Sequence, residues 1–341
     1  MRTKTNNTQT NKHKPMKKFV ITIFALVACA TLSAQLQPNF PSTPFEPSKA
    51  EAKVMTTLTD IPQNERVSVN YQGNVVYDHQ SDMDLVIQLI TPAGGWGKKY
   101  PCVVFIQGAA WYAQAVYSQV PNLMEFAKRG YVVASVQHRP STTATYPAQI
   151  QDIKTAVRFL RKNANRYGID TNNLFVWGDS SGGNLSLLLT VTADQPQLDT
   201  EAYGTESVDV NACVAYYPVT DVLRMQEFER GNWDHISESS PTGTIFGGIK
   251  VMENPDIVKS LSPITYVSPE RAAQTAPIMI VTGNSDRTVP FEQSVIMADR
   301  LEECGYDYKF YKIEGADHGS YEFWTDTLFD MVDAHFRAHM K

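Results

Sequence analysis

From about residue 97 onward the chain alternates short, mostly apolar runs with segments of helical period, and this alternation constrains its fold more than any other feature. The runs are Cys102–Ile106, Tyr131–Val136, Leu174–Trp177, Ala212–Tyr217, Ile278–Val281 and Tyr308–Ile313. Helices are predicted between them at about residues 121–129, 147–166, 185–191, 291–303 and 322–340. In the second, Ile150, Ile153, Ala156, Val157 and Leu160 recur at three- and four-residue steps. Apolar strands without polar alternation suit positions covered on both faces, so the expectation is an α/β fold with a mostly parallel sheet between helical layers. Upstream, residues 65–77 and 83–91 alternate apolar with polar residues (Val67, Val69, Tyr71; Leu85, Ile87, Leu89), the pattern of antiparallel strands. Residues 221–270 break the rhythm with polar, Gly-containing sequence and are read as a cap-like insertion over one end of the sheet.

The first 34 residues hold six Lys and Arg and no Asp or Glu, in a chain with 30 basic against 36 acidic residues overall. The apolar stretch Phe19–Ala30 has 12 residues, too few for a bilayer span of about 20. A basic start, a short apolar core and small residues after it describe a secretory signal, with cleavage after Ala34. A lipobox reading, Leu26-Val27-Ala28-Cys29 with Cys29 lipidated, stands beside it, so the protein is expected to be exported, either free or lipid-anchored. Without residues 1–34 the chain carries 24 basic and 36 acidic residues, which argues against a nucleic-acid partner and favours neutral substrates. Residues 35–62, opening with four prolines by residue 47, read as a tether. The four cysteines at 29, 102, 213 and 304 have no metal-ligand spacing and imply no disulfide framework.

Gly178-Asp179-Ser180-Ser181-Gly182-Gly183 falls between the strand run LFVW and a leucine-rich helix. A G-x-S-x-G so placed is the nucleophile elbow: a sharp turn lifts the Ser180 hydroxyl off the sheet, and side chains at 178 or 182 would collide. The helix start beyond it favours developing negative charge.

With this box in hand, the sequence resembles the α/β-hydrolase esterases and lipases of the hormone-sensitive-lipase-like and feruloyl- or acetylxylan-esterase-like group, over about residues 65–341. Only Ser181 departs from that group's G-D-S-A-G-G. The resemblance implies an α/β-hydrolase domain over residues 63–341. Gln107-Gly108-Ala109-Ala110-Trp111 stands where the group has His-Gly-Gly-Gly-Trp, and implies an oxyanion hole from the backbone N–H groups of Ala109, Ala110 and Ser181.

His318, in the loop after the run YKFYKI, is the candidate base, because a loop leaving a strand end near the elbow is where a base is needed. Asp286, after IMIV and before Val289-Pro290, is the candidate acid. The chain order Ser180, Asp286, His318 is that of the α/β-hydrolases, with separations of 106 and 32 residues. Asp317 adjoins His318 in sequence and is expected to point elsewhere. Arg139 and Asp152 are expected to pair structurally, and His138 to pack beside the sheet. His335 and His339 read as an exposed helix tail, and His235 is a weak candidate for substrate contact. Trp111 and Tyr112 are candidates for stacking on a sugar or aromatic acyl group, and Phe228, Trp233, Ile245 and Phe246 for lining the acyl pocket.

These readings converge on an exported serine hydrolase of carboxylic esters, acting on short-chain or carbohydrate-linked (acetyl or feruloyl) substrates without cofactor or metal. A lipase, a dipeptidyl-peptidase-like enzyme and a non-catalytic binding protein are the alternatives.

Overall fold

The computed structural model describes residues 68–93 and 97–341. The expected signal, Cys29 and the tether lie outside the described residues, as does the start of the domain.

Eight strands form one sheet: β1 (Val69–Gln80), β2 (Met83–Pro92), β3 (Tyr100–Ile106), β4 (Val132–Val136), β5 (Ile169–Asp179), β6 (Cys213–Tyr216), β7 (Ile278–Gly283) and β8 (Tyr308–Ile313). Their order is β1-β2-β4-β3-β5-β6-β7-β8. β1 pairs antiparallel with β2 and β2 with β4, whereas every pair from β4 to β8 is parallel. The alternating and the continuous apolar runs thus become the antiparallel and parallel parts of the sheet. β5 begins five residues before the predicted run, at Ile169, because Asp170-Thr-Asn-Asn, a turn-like sequence, extends the strand.

The helices are α1 (Val120–Ala127), α2 (Ala148–Lys162), α3 (Ala164–Tyr167), α4 (Ser181–Val191), α5 (Pro241–Ile245), α6 (Pro255–Val258), α7 (Phe291–Glu303) and α8 (Asp326–Ala338). Alternate residues of each central strand feed two separate cores. Val104, Val176, Ala215 and Ile280 meet α2, α4 and α7, while Phe105, Trp177, Tyr216 and Val281 meet α1 and α8. All eleven residues of α4 are buried, so its sequence carries no polar face. Each of its leucines contributes about 1.5–3 kcal/mol by burial.

The final helix is shorter than predicted. Tyr321–Trp324 forms a separate 3-10 turn, and Thr325 starts α8 by accepting the Leu328 N–H on its hydroxyl. His335 of α8 is 1% exposed, so the reading of an exposed tail is corrected there; burial pushes its imidazole down to about 4.

The insertion is built of short turns: 3-10 segments at Val222–Arg224, Val251–Glu253 and Lys259–Leu261, besides α5 and α6. Val222, Ile245, Val251, Val258 and Leu261 join the core formed with α2 and α4. Ile245 is therefore core and not pocket lining, and Phe246 packs its ring against Tyr146 at 5.6 Å. Of the four residues expected to line a pocket, Trp233 is the most exposed, while Phe228 lies under the Arg224 guanidinium. Among the described residues no helix is long and apolar enough to cross a membrane.

Candidate active site

Ser180 stands between the end of β5 and the start of α4 with φ 53° and ψ −123°, a left-handed conformation that only a tightly constrained turn maintains. The constraint is backbone approach. A Cβ on Gly178 would lie 2.3 Å from the Gly182 carbonyl oxygen, and one on Gly182 only 1.9 Å from that of Ile106. Glycine at both positions is what lets β3, the turn and α4 close on one another.

The loop beyond β7 carries Asp286. Its Oδ1 accepts the N–H groups of Thr288 and Val289, both at 2.8 Å, which fixes the side chain. Its Oδ2 lies 2.7 Å from Nδ1 of His318, which the loop beyond β8 supplies. The other ring nitrogen, Nε2, lies 2.9 Å from Ser180 Oγ. The structure therefore joins all three residues in one hydrogen-bonded chain from the C-terminal ends of β5, β7 and β8. The Asp286 side chain is fully buried and the imidazole is 18% exposed. Asp317 turns away, as expected. It binds the Arg287 guanidinium, which holds its carboxyl down to about 2.

Two further residues complete this centre and were not singled out in the sequence. Asp179 Oδ1 accepts the Gly108 N–H at 3.0 Å, and its Oδ2 faces the Tyr217 hydroxyl at 3.4 Å. Burial pushes the Asp179 carboxyl up to about 6. Tyr217, at the end of β6 with φ 36° and 1% exposure, lays its ring 4.5 Å from that of His318. The box position of Asp179 was a signal for its role; Tyr217 carried none, since its neighbours come from three distant elements.

The loop after β3 differs from expectation in two respects. The Ala109 N–H is already taken, donating to Ser181 Oγ at 2.9 Å, so Ala109 is corrected as an open oxyanion donor. The N–H groups of Ala110 and Ser181 have no hydrogen-bond partner among the described residues. Trp111 is 3% exposed and donates its indole N–H to Asn184 Oδ1 at 3.3 Å. It is core, and the expectation that it stacks on substrate is corrected. Tyr112 is half-buried, with its hydroxyl 3.3 Å from Thr244 of the insertion. Gln107 donates to Ser118 Oγ at 2.8 Å.

The remaining candidates have structural partners. Arg139 clasps Asp152 through Nε and a terminal nitrogen, at 3.0 and 2.6 Å to Oδ1. His138 is buried with Nδ1 at 2.8 Å from the Arg139 carbonyl, and burial pushes its imidazole down to about 4. His235 pairs with Glu229 at 2.5 Å inside the insertion. Among the described residues no group of His, Cys, Asp and Glu is arranged to hold a metal.

An elbow serine between a parallel strand and its helix, with a carboxylate and an imidazole delivered by later strand ends in that order, defines an α/β-hydrolase. Residues 87–301, more than half of the chain, match the model of the BD-FAE family. The chain belongs to that family. Among its relatives is esterase LipQ of Mycobacterium tuberculosis, 26% identical over 81% of this chain. Esterase LipC of the same organism is 27% identical over 69%. The chain spans 64% and 55% of these relatives' own lengths. A solved structure described as a truncated form of a carbohydrate esterase from gut microbiota is 27% identical with a TM-score of 0.68, covering 82% of this chain and 98% of that one.

Proposed function

We propose that the protein is an exported serine esterase that hydrolyses short-chain or carbohydrate-linked esters through an acyl-enzyme. The hydrogen-bonded chain Asp286–His318–Ser180 carries this reading. His318 holds its proton on Nδ1 toward Asp286, leaving Nε2 to take the Ser180 proton as Oγ attacks the ester carbonyl. The oxyanion then rests on the free N–H groups of Ala110 and Ser181. The imidazolium returns its proton to the departing alcohol, and afterwards draws one from the water that releases the acid. Removal of one such oxyanion donor typically costs about 3 kcal/mol of transition-state stabilisation.

Ile245 and Phe246 of the insertion pack against the body of the domain, which supports a short acyl group. The carbohydrate esterase among the solved structures supports the sugar-linked part of the proposal. The basic, apolar and small-residue order of residues 1–34 supports export, with or without a lipid on Cys29.

The test is a panel of 4-nitrophenyl esters from acetate to palmitate, acetylated xylan, methyl ferulate and a dipeptide amide, run on the wild type and Ser180→Ala. Turnover is expected to be highest on acetyl or feruloyl esters and to fall by about 10⁴-fold or more in the variant. Faster cleavage of palmitate or of the amide, or unchanged turnover in the variant, would overturn the proposal.

A further inference from the structure

The two neighbours of Ser180 in the elbow direct their side chains at the loop after β3. Asp179 accepts the Gly108 N–H at 3.0 Å. Ser181 Oγ accepts two more, from Ala109 at 2.9 Å and from Trp111 at 3.2 Å. Of the four consecutive N–H groups from 108 to 111, only that of Ala110 stays uncommitted among the described residues. Ala110 and Trp111 both have left-handed backbones, at φ 49° and 60°, which alanine and tryptophan adopt only when neighbouring contacts impose it. Ser181 is 1% exposed, so water does not compete for these bonds. Ser181 is also the one position where the box departs from the pattern it resembles.

We propose that the Ser181 hydroxyl is a positioning group that pins the strained 109–111 backbone, so that the Ala110 N–H is the loop's free donor beside the Ser181 N–H. One residue then serves the oxyanion hole twice, through its backbone as donor and through its side chain as the anchor of the second donor. Two N–H groups on one oxygen fix both the position and the tilt of the intervening peptide, which a single bond does not. The catalytic use of the pin rests on the reading of Ser180 as nucleophile; the pinning itself is a property of the loop.

The experiment compares wild type, Ser181→Ala and Ser181→Cys by amide hydrogen exchange at Ala109 and Trp111, and by kcat and KM on 4-nitrophenyl acetate. In Ser181→Ala both amides should exchange at least tenfold faster, and kcat should fall at least tenfold with KM within twofold. Ser181→Cys, whose sulfur is a weak acceptor, should fall between the two in both measurements. Unchanged exchange in Ser181→Ala overturns the proposal, and so does a rise in kcat, which would mean that the hydroxyl obstructs the hole. Accelerated exchange in a protein whose wild type cleaves no ester would support the pin and overturn the hydrolase reading.

Discussion

Asp179 shows at the scale of one residue how an active centre is held at a cost to the fold. Its carboxyl titrates near 3.8 in an unfolded chain, and burial beside Ser180 pushes it up to about 6 in the fold. Well below pH 3.8 both states are protonated and Asp179 imposes no penalty. As pH rises from 3.8 to about 6 the unfolded chain gives up this proton first and stability falls; above about 6 the fold holds a buried negative charge and the loss levels off. A hundredfold change in proton affinity corresponds to about 3 kcal/mol. We expect Asp179→Asn, whose side-chain oxygen can still accept the Gly108 N–H, to be more stable than the wild type at pH 7.5 by up to that amount. The advantage should shrink to roughly a third near pH 4.5. Urea unfolding at the two pH values measures it, and an equal difference at both would refute the electrostatic account. Asp152, 2% exposed, is also pushed up by burial, but there the Arg139 guanidinium opposes the shift. Arg139→Ala should therefore destabilise by about 3–5 kcal/mol, readable in the same titration, because it leaves an unpaired buried carboxylate.

Among the elements, the meeting of β3, β5 and α4 has the least freedom. The Gly182 Cα faces the Ile106 carbonyl so closely that a Cβ there would stand 1.9 Å from it. Gly182→Ala must push the end of β3 away and carry the oxyanion loop with it. We expect a loss of several kcal/mol of stability, measured by thermal unfolding, with esterase turnover at or below a hundredth of wild type in whatever protein folds. This junction was legible from sequence because its constraints are local: an apolar run, a Gly-rich turn and an apolar helix in succession. Helix α7 was legible for a related reason, since Val289-Pro290 starts it and Gly305 follows it. The burial of Trp111 was not legible. It depends on Asn184, 73 residues away in sequence, and a loop tryptophan beside a catalytic motif reads equally well as exposed. Likewise Ser181 announced its backbone N–H through the elbow motif, whereas its side-chain bonds depended on how a loop 70 residues away would turn.

Across the whole molecule, the three residues of the hydrogen-bonded chain hang on strands of unequal security. Ser180 follows β5, flanked by β3 and β6, and Asp286 follows β7, flanked by β6 and β8. His318 follows β8, which among the described residues pairs only with β7 and has no fully buried residue, whereas all six residues of β7 are buried. An edge strand with half-exposed hydrogen bonds opens at lower free energy than the sheet centre. The loop after β8 is tied to the loop after β7 by the Gly315 N–H on Asn284 Oδ1 at 2.7 Å and the Ser285 N–H on the Ala316 carbonyl at 3.1 Å, while the exposed Asp317–Arg287 pair adds little. His318 should therefore leave its place before the sheet unfolds. In a urea titration we expect esterase activity to be lost at a lower midpoint than far-UV circular dichroism, and the fluorescence of a variant that keeps only Trp177, packed between β3 and α8, to follow the later transition. Strengthening the edge should bring the midpoints together. Coincident loss of all three signals would mean that β8 unfolds only with the rest of the sheet, and that the α8 packing against the opposite core, through Phe329, Val332 and Phe336, is what secures it.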